Sequence, residues 1–323
     1  MIISRTPFRV SFAGGGSDLP EFYREHGGAV LSTSIDKYMY LSMHPYFFEN
    51  KFFLKYSKSE LVDCLSDIKH PIIKEIFNEF NIKGVDFNSS ADIPSGTGLA
   101  SSSAFTAGLI NLCAAYNNIY LSKQEIANLA CKVEILKLNE PIGKQDQYAC
   151  AIGGLNYLEF HEDDSVLVEK ISLSPDRYNE LNDSLLMFFL GESRSAGNIL
   201  LEQKINTSKD KNNIVMLKKM VSLAQTLKRE LKNNKIDDFG KILDEGWSYK
   251  KELASKISNS YIDEIYNTAM KNGAEGGKLL GAGGTGFLLF FVKPDKQSQI
   301  RKSLNGLFEL NFRFENSGTT IIY

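Results

Sequence analysis

Cysteine, tryptophan and histidine are scarce in this chain of 323 residues: four cysteines, one tryptophan and four histidines. Cys64, Cys113, Cys131 and Cys150 stand far apart with no C-x-x-C, and three of them sit in apolar stretches that read as core. That spacing argues against a zinc site and predicts a reducing compartment. An excess of charge is also lacking. The net charge is −2 and no long run of one sign occurs, which disfavours a nucleic-acid surface or a polybasic membrane patch. The longest apolar runs, such as "FLLFFV", reach about six residues, against the roughly 18 needed to span a bilayer. The opening "MIISRTPFRVSF" is interrupted by Arg5 and Arg9, so a cytoplasmic protein with small-molecule partners is expected.

What is present is the composition of a folded chain, 43% hydrophobic and 24% charged, long enough for two domains. Strand-like runs come first: "RTPFRVSFAG", then "GAVLSTSI" and "KYMYLSMH" with period-two alternation, then "GVDFNSSADI". A buried helix is predicted from about Ser103 to Tyr116, and another begins at a capping box of Ser122 and Glu125. After the strand "SLLMFFLG" come helices whose stripe includes Leu217, Met220, Val221, Ala224, Leu227 and Leu231. "FRFEN" and "TTIIY" read as closing strands. The whole is α+β, with a boundary expected near residue 180.

Several stretches carry chemistry. "ADIPSGTGLASSSAFTAGLI", residues 91–110, sets a loop of glycines and hydroxyls between a strand and a buried helix. Small residues admit a ligand close to the backbone, and free N–H groups at a helix start attract an anion, so the loop suits phosphate. No G-K-[ST] closes it, which rules out a Walker A loop, and a helix cap with surplus serines is the plain alternative. Glu134 falls on a predicted helix, 122–139, at the border of the stripe formed by Ala127, Ala130 and Leu138. A carboxylate there calls for a cation or donors. Asp146 lies in "EPIGKQDQYACAIGG", as a helix cap or a catalytic group. In "RTPFRVSFAGGGSDLPEF" a strand runs into Gly14, Gly15 and Gly16, then Ser17 and Asp18, which read as a tight turn with a cap, as a ligand site, or as both.

"GAGGTGF", residues 281–287, contains G-x-G-x-x-G, but a strand-like run follows it where a dinucleotide fingerprint needs a helix, and fewer than 40 residues remain. A glycine loop between two strands describes it better.

Three of these stretches, in this order, resemble the motifs of the GHMP kinases, the superfamily of galacto-, homoserine, mevalonate and phosphomevalonate kinases. "TPFRVSFAGGGSDLPEF" is similar to the first motif, "PSGTGLASSSA" to the second, P-x-x-x-G-L-x-S-S-x, and "GAGGTGF" to the third. The resemblance implies a two-domain architecture. Residues 1–180 would form a ribosomal-protein-like α/β domain holding the phosphate loop and the catalytic aspartate, and 181–323 a ferredoxin-like α+β domain. "AGGGSDLPEF", "GKQDQYA" and "GESRSAGNIL" are most similar to the sugar kinases that act on D-glycero-D-manno-heptose 7-phosphate, with fucokinases more distant. That subfamily implies transfer of the ATP γ-phosphoryl to the anomeric hydroxyl, giving a 1,7-bisphosphate for activated heptose and surface polysaccharide.

The same resemblance implies a set of site residues. ATP would lie on Pro94, Ser95, Gly96, Thr97, Gly98, Leu99, Ala100, Ser101 and Ser102, with Mg²⁺ held by Ser102 and Glu134. Asp146 would accept or orient the sugar hydroxyl, with Arg9 near the transferred phosphoryl. Gly14, Gly15, Gly16, Ser17 and Asp18 would meet the sugar, as would Gly283 and Gly284 of the third motif. Ala100 departs from the family's frequent glycine. On physical grounds Ser193 and Arg194, just before a predicted helix, suit the substrate's distal phosphate or serve as a cap with a surface arginine. The third motif is expected to lie close to the second.

Overall fold

The structure, a computed structural model, describes residues 1–48, 50–191 and 197–323. Its first strand, Ile2–Ala13, buries Phe8, Val10 and Phe12 on one side in the expected period of two. It pairs antiparallel with a single strand, Gly28–Pro45, that joins the two runs "GAVLSTSI" and "KYMYLSMH". Register shifts at Pro7/Phe8 and Ser11/Ala13 bend this long ribbon, so one strand does the work of two. Val85–Ala91 and Leu155–Phe160 also pair with Gly28–Pro45, and among the described residues the sheet has nine strands.

The helix Ser101–Tyr116 lies on this sheet, apolar nearly all round as its sequence predicts. Gly108 permits the close approach, because a β-carbon there would sit 2.7 Å from Thr6 Oγ1. The capping box of Ser122 and Glu125 forms as expected and starts the helix Lys123–Cys131.

A second sheet of four antiparallel strands runs in the order Phe308–Glu309, Leu185–Phe189, Phe287–Phe291, Gly276–Leu279 among the described residues. Helices Lys211–Lys232 and Phe239–Lys251 bridge it to the first sheet. Phe239 sits edge-on to Phe12 at 5.0 Å between ring centroids and 5.4 Å from Phe291, so the apolar core is continuous across both sheets. Deleting a ring such as Phe12 would cost about 3–5 kcal/mol.

The α+β, two-unit architecture agrees with the sequence. Helix Pro175–Asp183 ends just before the first strand of the second sheet. The chain then returns: Phe314–Glu315 pairs with Gly28–Pro45, and Thr320–Ile321 pairs with Ile2–Ala13. Hydrogen bonding thus ties the closing segment to the first sheet. We propose a division in which that segment belongs with 1–180. Among the described residues no helix is long and apolar enough to cross a membrane.

Candidate active site

A cavity of about 840 Å³ lies where the two units meet, and its wall brings together parts of all three glycine-rich stretches. On the phosphate loop, Pro94, Ser95, Gly96, Gly98, Ala100, Ser101 and Ser102 line it. Thr97 and Leu99 are buried behind them. The Thr97 hydroxyl donates to the Pro94 carbonyl at 3.0 Å, which folds the loop on itself. Backbone φ is positive at Gly96, Gly98 and Ala100 and not at the residues between. That alternation turns backbone N–H groups into an anion-binding hollow. Ala100, at φ 67° and ψ 38°, adopts the left-handed conformation immediately before helix Ser101–Tyr116, at a cost of roughly 1–2 kcal/mol for a residue with a β-carbon.

Arg9 and Asp146 meet at the cavity floor. Arg9 Nε donates to Asp146 Oδ1 at 2.7 Å and Nη2 to Oδ2 at 2.8 Å, while Nη1 donates to the Gly98 carbonyl at 2.7 Å. This is a two-point guanidinium–carboxylate pair that also ties the first strand to the phosphate loop. Burial opposes the Arg9 charge, but the carboxylate outweighs it and holds the guanidinium pKa above its ordinary value. Asp146 sits in the first turn of helix Gln145–Ile152 and keeps about a quarter of its side chain exposed to the cavity. Asp18 is buried beside it. Its carboxylate accepts from the Gly16 N–H at 2.9 Å, the Gln145 N–H at 3.1 Å and Gln145 Nε2 at 3.0 Å. Burial, then the charge of Asp146, raises its pKa.

Glu134 is deeper than its sequence position implied, fully buried. The predicted continuous helix gives way to a π-helical turn, Lys132–Lys137, and the wider turn rotates Glu134 inward. Its Oε1 accepts from Ser102 at 2.7 Å and Thr106 at 3.1 Å, and Oε2 from Ser103 at 2.8 Å and Gln147 at 2.7 Å. Burial raises its pKa, and these hydrogen bonds oppose the rise. Among the described residues no cation lies within ion-pair distance of it. The hard oxygens of Glu134 and Ser102 match the donor chemistry of Mg²⁺, but four donors already meet the carboxylate and Ser102 alone of the two lines the cavity, so an ion there would replace the Ser102 hydrogen bond.

The third motif closes on the second as expected. A β-carbon on Gly281 would fall 2.4 Å from the Gly98 α-carbon, and one on Gly286 would fall 2.4 Å from the Thr97 carbonyl oxygen. Glycine at these positions lets two backbones touch. Four residues expected at the substrate lie elsewhere. Gly283 packs on Ile257 and Gly284 on Ile199, so within the third motif Gly281 and Ala282 face the cavity instead. Gly14 packs on the Ala29 carbonyl, and the buried Ser17 hydroxyl donates to the Gly14 carbonyl and accepts from the Ala29 N–H. Gly15, Gly16 and Asp18 do line the cavity. Ser193 and Arg194 lie outside the described residues.

The matches to known proteins agree with this geometry. Residues 66–154 match the family model described as GHMP kinases N terminal domain, and 227–309 that described as GHMP kinases C terminal. D-glycero-alpha-D-manno-heptose 7-phosphate kinase of Campylobacter jejuni is 31% identical over 94% of this chain and 93% of that protein. The chain belongs to the GHMP kinases. This GHMP kinase is accordingly a phosphotransferase that uses ATP. It is also 27% identical to the bifunctional fucokinase/GDP-fucose pyrophosphorylase of Arabidopsis thaliana, over 96% of this chain and 32% of that protein. Its fold matches a crystal structure of a D-glycero-D-manno-heptose 1-phosphate kinase from Bacteroides thetaiotaomicron with TM-score 0.82 at 24% identity, covering 100% of this chain and 99% of that one.

Sequence reasoning missed two groups in this kinase. Tyr56, His70 and Phe105 form an aromatic wall at one end of the cavity, with His70 stacked on Phe105 at 5.1 Å. They come from three distant segments and share no spacing. Lys250 and Lys278 are buried and face the cavity. Lys250 continues the stripe of Leu243 and Trp247 at helical spacing, a lysine on an apolar face, and that was its available signal.

Proposed function

We propose that this kinase transfers the γ-phosphoryl of ATP to the anomeric hydroxyl of D-glycero-D-manno-heptose 7-phosphate. The observation that carries the reading is one cavity holding the phosphate-loop hollow, the Arg9–Asp146 pair and the buried Asp18 carboxylate side by side. Support for the acceptor comes from the heptose 7-phosphate kinase relative, which aligns along nearly the whole chain.

Residues Gly96 to Ser101 would cradle the β-phosphate through backbone N–H groups, and the wall of Met39, Tyr56, His70, Ile72 and Phe105 would take the base. Mg²⁺ held by Ser102 and Glu134 would neutralise charge on the phosphates. Asp18, pinned by Gly16 and Gln145, orients sugar hydroxyls by accepting their hydrogen bonds. Asp146 receives the proton of the anomeric hydroxyl, and Arg9 holds that carboxylate in place. The acceptor oxygen forms its bond to Pγ as the bond from Pγ to the bridging oxygen breaks, and the electron pair leaves on ADP.

A coupled ADP-release assay with heptose 7-phosphate, mannose, fucose and galactose as acceptors tests the reading. The expected result is a kcat/KM for heptose 7-phosphate at least ~100-fold above the others. A preference for fucose or galactose would transfer the assignment to those sugars, and binding without ADP release from any acceptor would make the protein a sensor on a kinase scaffold.

A further inference from the structure

Two lysines of the second unit line the cavity, and among the described residues neither has a carboxylate within ion-pair distance. Lys278, on strand Gly276–Leu279, is 5% exposed and donates from Nζ to the Phe12 carbonyl at 3.1 Å. Lys250, on helix Phe239–Lys251, is 8% exposed and donates to the Leu279 carbonyl at 3.0 Å and to the Gly281 carbonyl. Among the described residues neither forms an ion pair. A charged ammonium has three N–H donors, so in that form Lys278 keeps two and Lys250 one for a ligand.

Their anchors locate them. Phe12 precedes the first glycine loop, and Gly281 touches Gly98 of the phosphate loop. The two side chains therefore line the cavity beside the first glycine loop and the phosphate loop, near the charges of Arg9 and Asp146. Isolated buried cations are costly, and here three basic groups, Arg9, Lys250 and Lys278, stand with two carboxylates, Asp146 and Asp18. An anion arriving there would favour the charged form of both lysines and be met by their N–H donors, the arrangement that stabilises charge moving in a transition state.

We propose that Lys250 and Lys278 clamp the phosphoryl group in flight, so that the second unit supplies the charge stabilisation for transfer while the first supplies the nucleotide site and Asp146. The lysines hydrogen-bond the equatorial oxygens of the phosphoryl as its bond to ADP breaks and its bond to the acceptor oxygen forms; they give up no proton. The charged groups around Lys278 are Arg9 and Lys250, with Asp146 facing Lys250 and Asp18 beyond Arg9. Burial, then Lys278 and Arg9, pulls the Lys250 pKa well below its ordinary value, and burial, then Arg9, pulls the Lys278 pKa down to about 7, so an arriving anion favours protonation of both amines. The clamp rests on kinase chemistry and is independent of which sugar accepts.

The test uses Lys250→Met and Lys278→Met, which keep most of the aliphatic volume, with Lys250→Gln retaining a donor to the Gly281 carbonyl. Thermal melting checks that each variant folds. The first readout needs no acceptor: tightening of ADP binding by aluminium fluoride, a mimic of the transferring phosphoryl, measured by calorimetry with magnesium. The expected result is strong tightening in the wild type, loss of at least ~10-fold of it in each methionine variant, and ADP affinity unchanged within about twofold. Turnover should fall by roughly 10²–10³ in kcat with little change in either KM. Unchanged tightening by aluminium fluoride overturns the clamp. So does a rise in KM confined to a phosphorylated acceptor, which would place the lysines on the acceptor's own phosphate. If heptose 7-phosphate is not turned over but the tightening is lost in the variants, the clamp stands and only the acceptor assignment fails.

Discussion

Arg9 and Asp146, far apart in the chain, close a two-point ion pair at 2.7 and 2.8 Å, and the same arginine holds the Gly98 carbonyl of the phosphate loop. One guanidinium therefore sets the position of Asp146, the proposed proton acceptor, relative to the phosphate loop. Asp146→Asn keeps the shape but removes the charge and turns one acceptor into a donor facing Arg9. The expected outcome is a loss of at least ~100-fold in kcat with modest change in the KM for ATP. Arg9→Lys cannot reproduce the planar two-point contact and should lower kcat as well, by misplacing Asp146. Steady-state kinetics on both variants checks this, and near wild-type turnover in Asp146→Asn would remove Asp146 from the chemistry.

Much of this site was legible because glycine and hydroxyl runs leave a local mark. A phosphate-suited loop and a glycine loop between strands could be read from "PSGTGLASSS" and "GAGGTGF", and the expectation that the two lie close came from their resemblance, in order, to the GHMP kinase motifs. Depth was harder to read. Glu134 looked like a stripe-border residue because a helix of constant pitch was assumed, and a π turn moved it inward. Gly283 and Gly284, expected at the substrate, are explained without a ligand by positive φ and by close approach to the Ile257 backbone and the Ile199 side chain. Lys250 and Lys278 escaped because their meaning depends on which carbonyls and cavity they face. The closing strands were recognised as strands, but which sheet they join is a long-range fact that alternation cannot encode.

The contact between Gly281 and Gly98 makes a sharp prediction. Gly281→Ala places a methyl 2.4 Å from the Gly98 α-carbon at a backbone φ of +70°. Neither backbone can yield without moving the phosphate loop, so ATP binding should weaken by ~10-fold or more, about 1–3 kcal/mol of strain. Gly306→Ala is the control. Its φ is +105° with nothing within 4 Å of a β-carbon, so it should lower Tm slightly and leave ATP affinity alone. Fluorescent nucleotide titration of both variants separates close approach from backbone strain; equal nucleotide affinities would show that the two loops do not couple.

The proposed Mg²⁺ site would tie metal binding to pH through Glu134. Burial raises its pKa above the ordinary carboxylate value. In the metal-free protein the folded state therefore holds a proton that the unfolded state has already lost, across the window between the ordinary value and the raised one. Stability from this group is present below the ordinary pKa and falls as pH rises through the raised one. A cation at Ser102 and Glu134 reverses the preference, because it binds the ionised carboxylate and competes with the proton. The stabilisation that Mg²⁺ adds in the presence of ADP should thus be largest at alkaline pH and shrink as pH falls through the raised pKa. Glu134→Ala should flatten that dependence and leave the Tm increment from metal-free ADP in place. Melting curves with and without Mg²⁺ across the pH range read this directly, without turnover. A magnesium increment that keeps the wild-type pH dependence in Glu134→Ala would place the ion on other ligands.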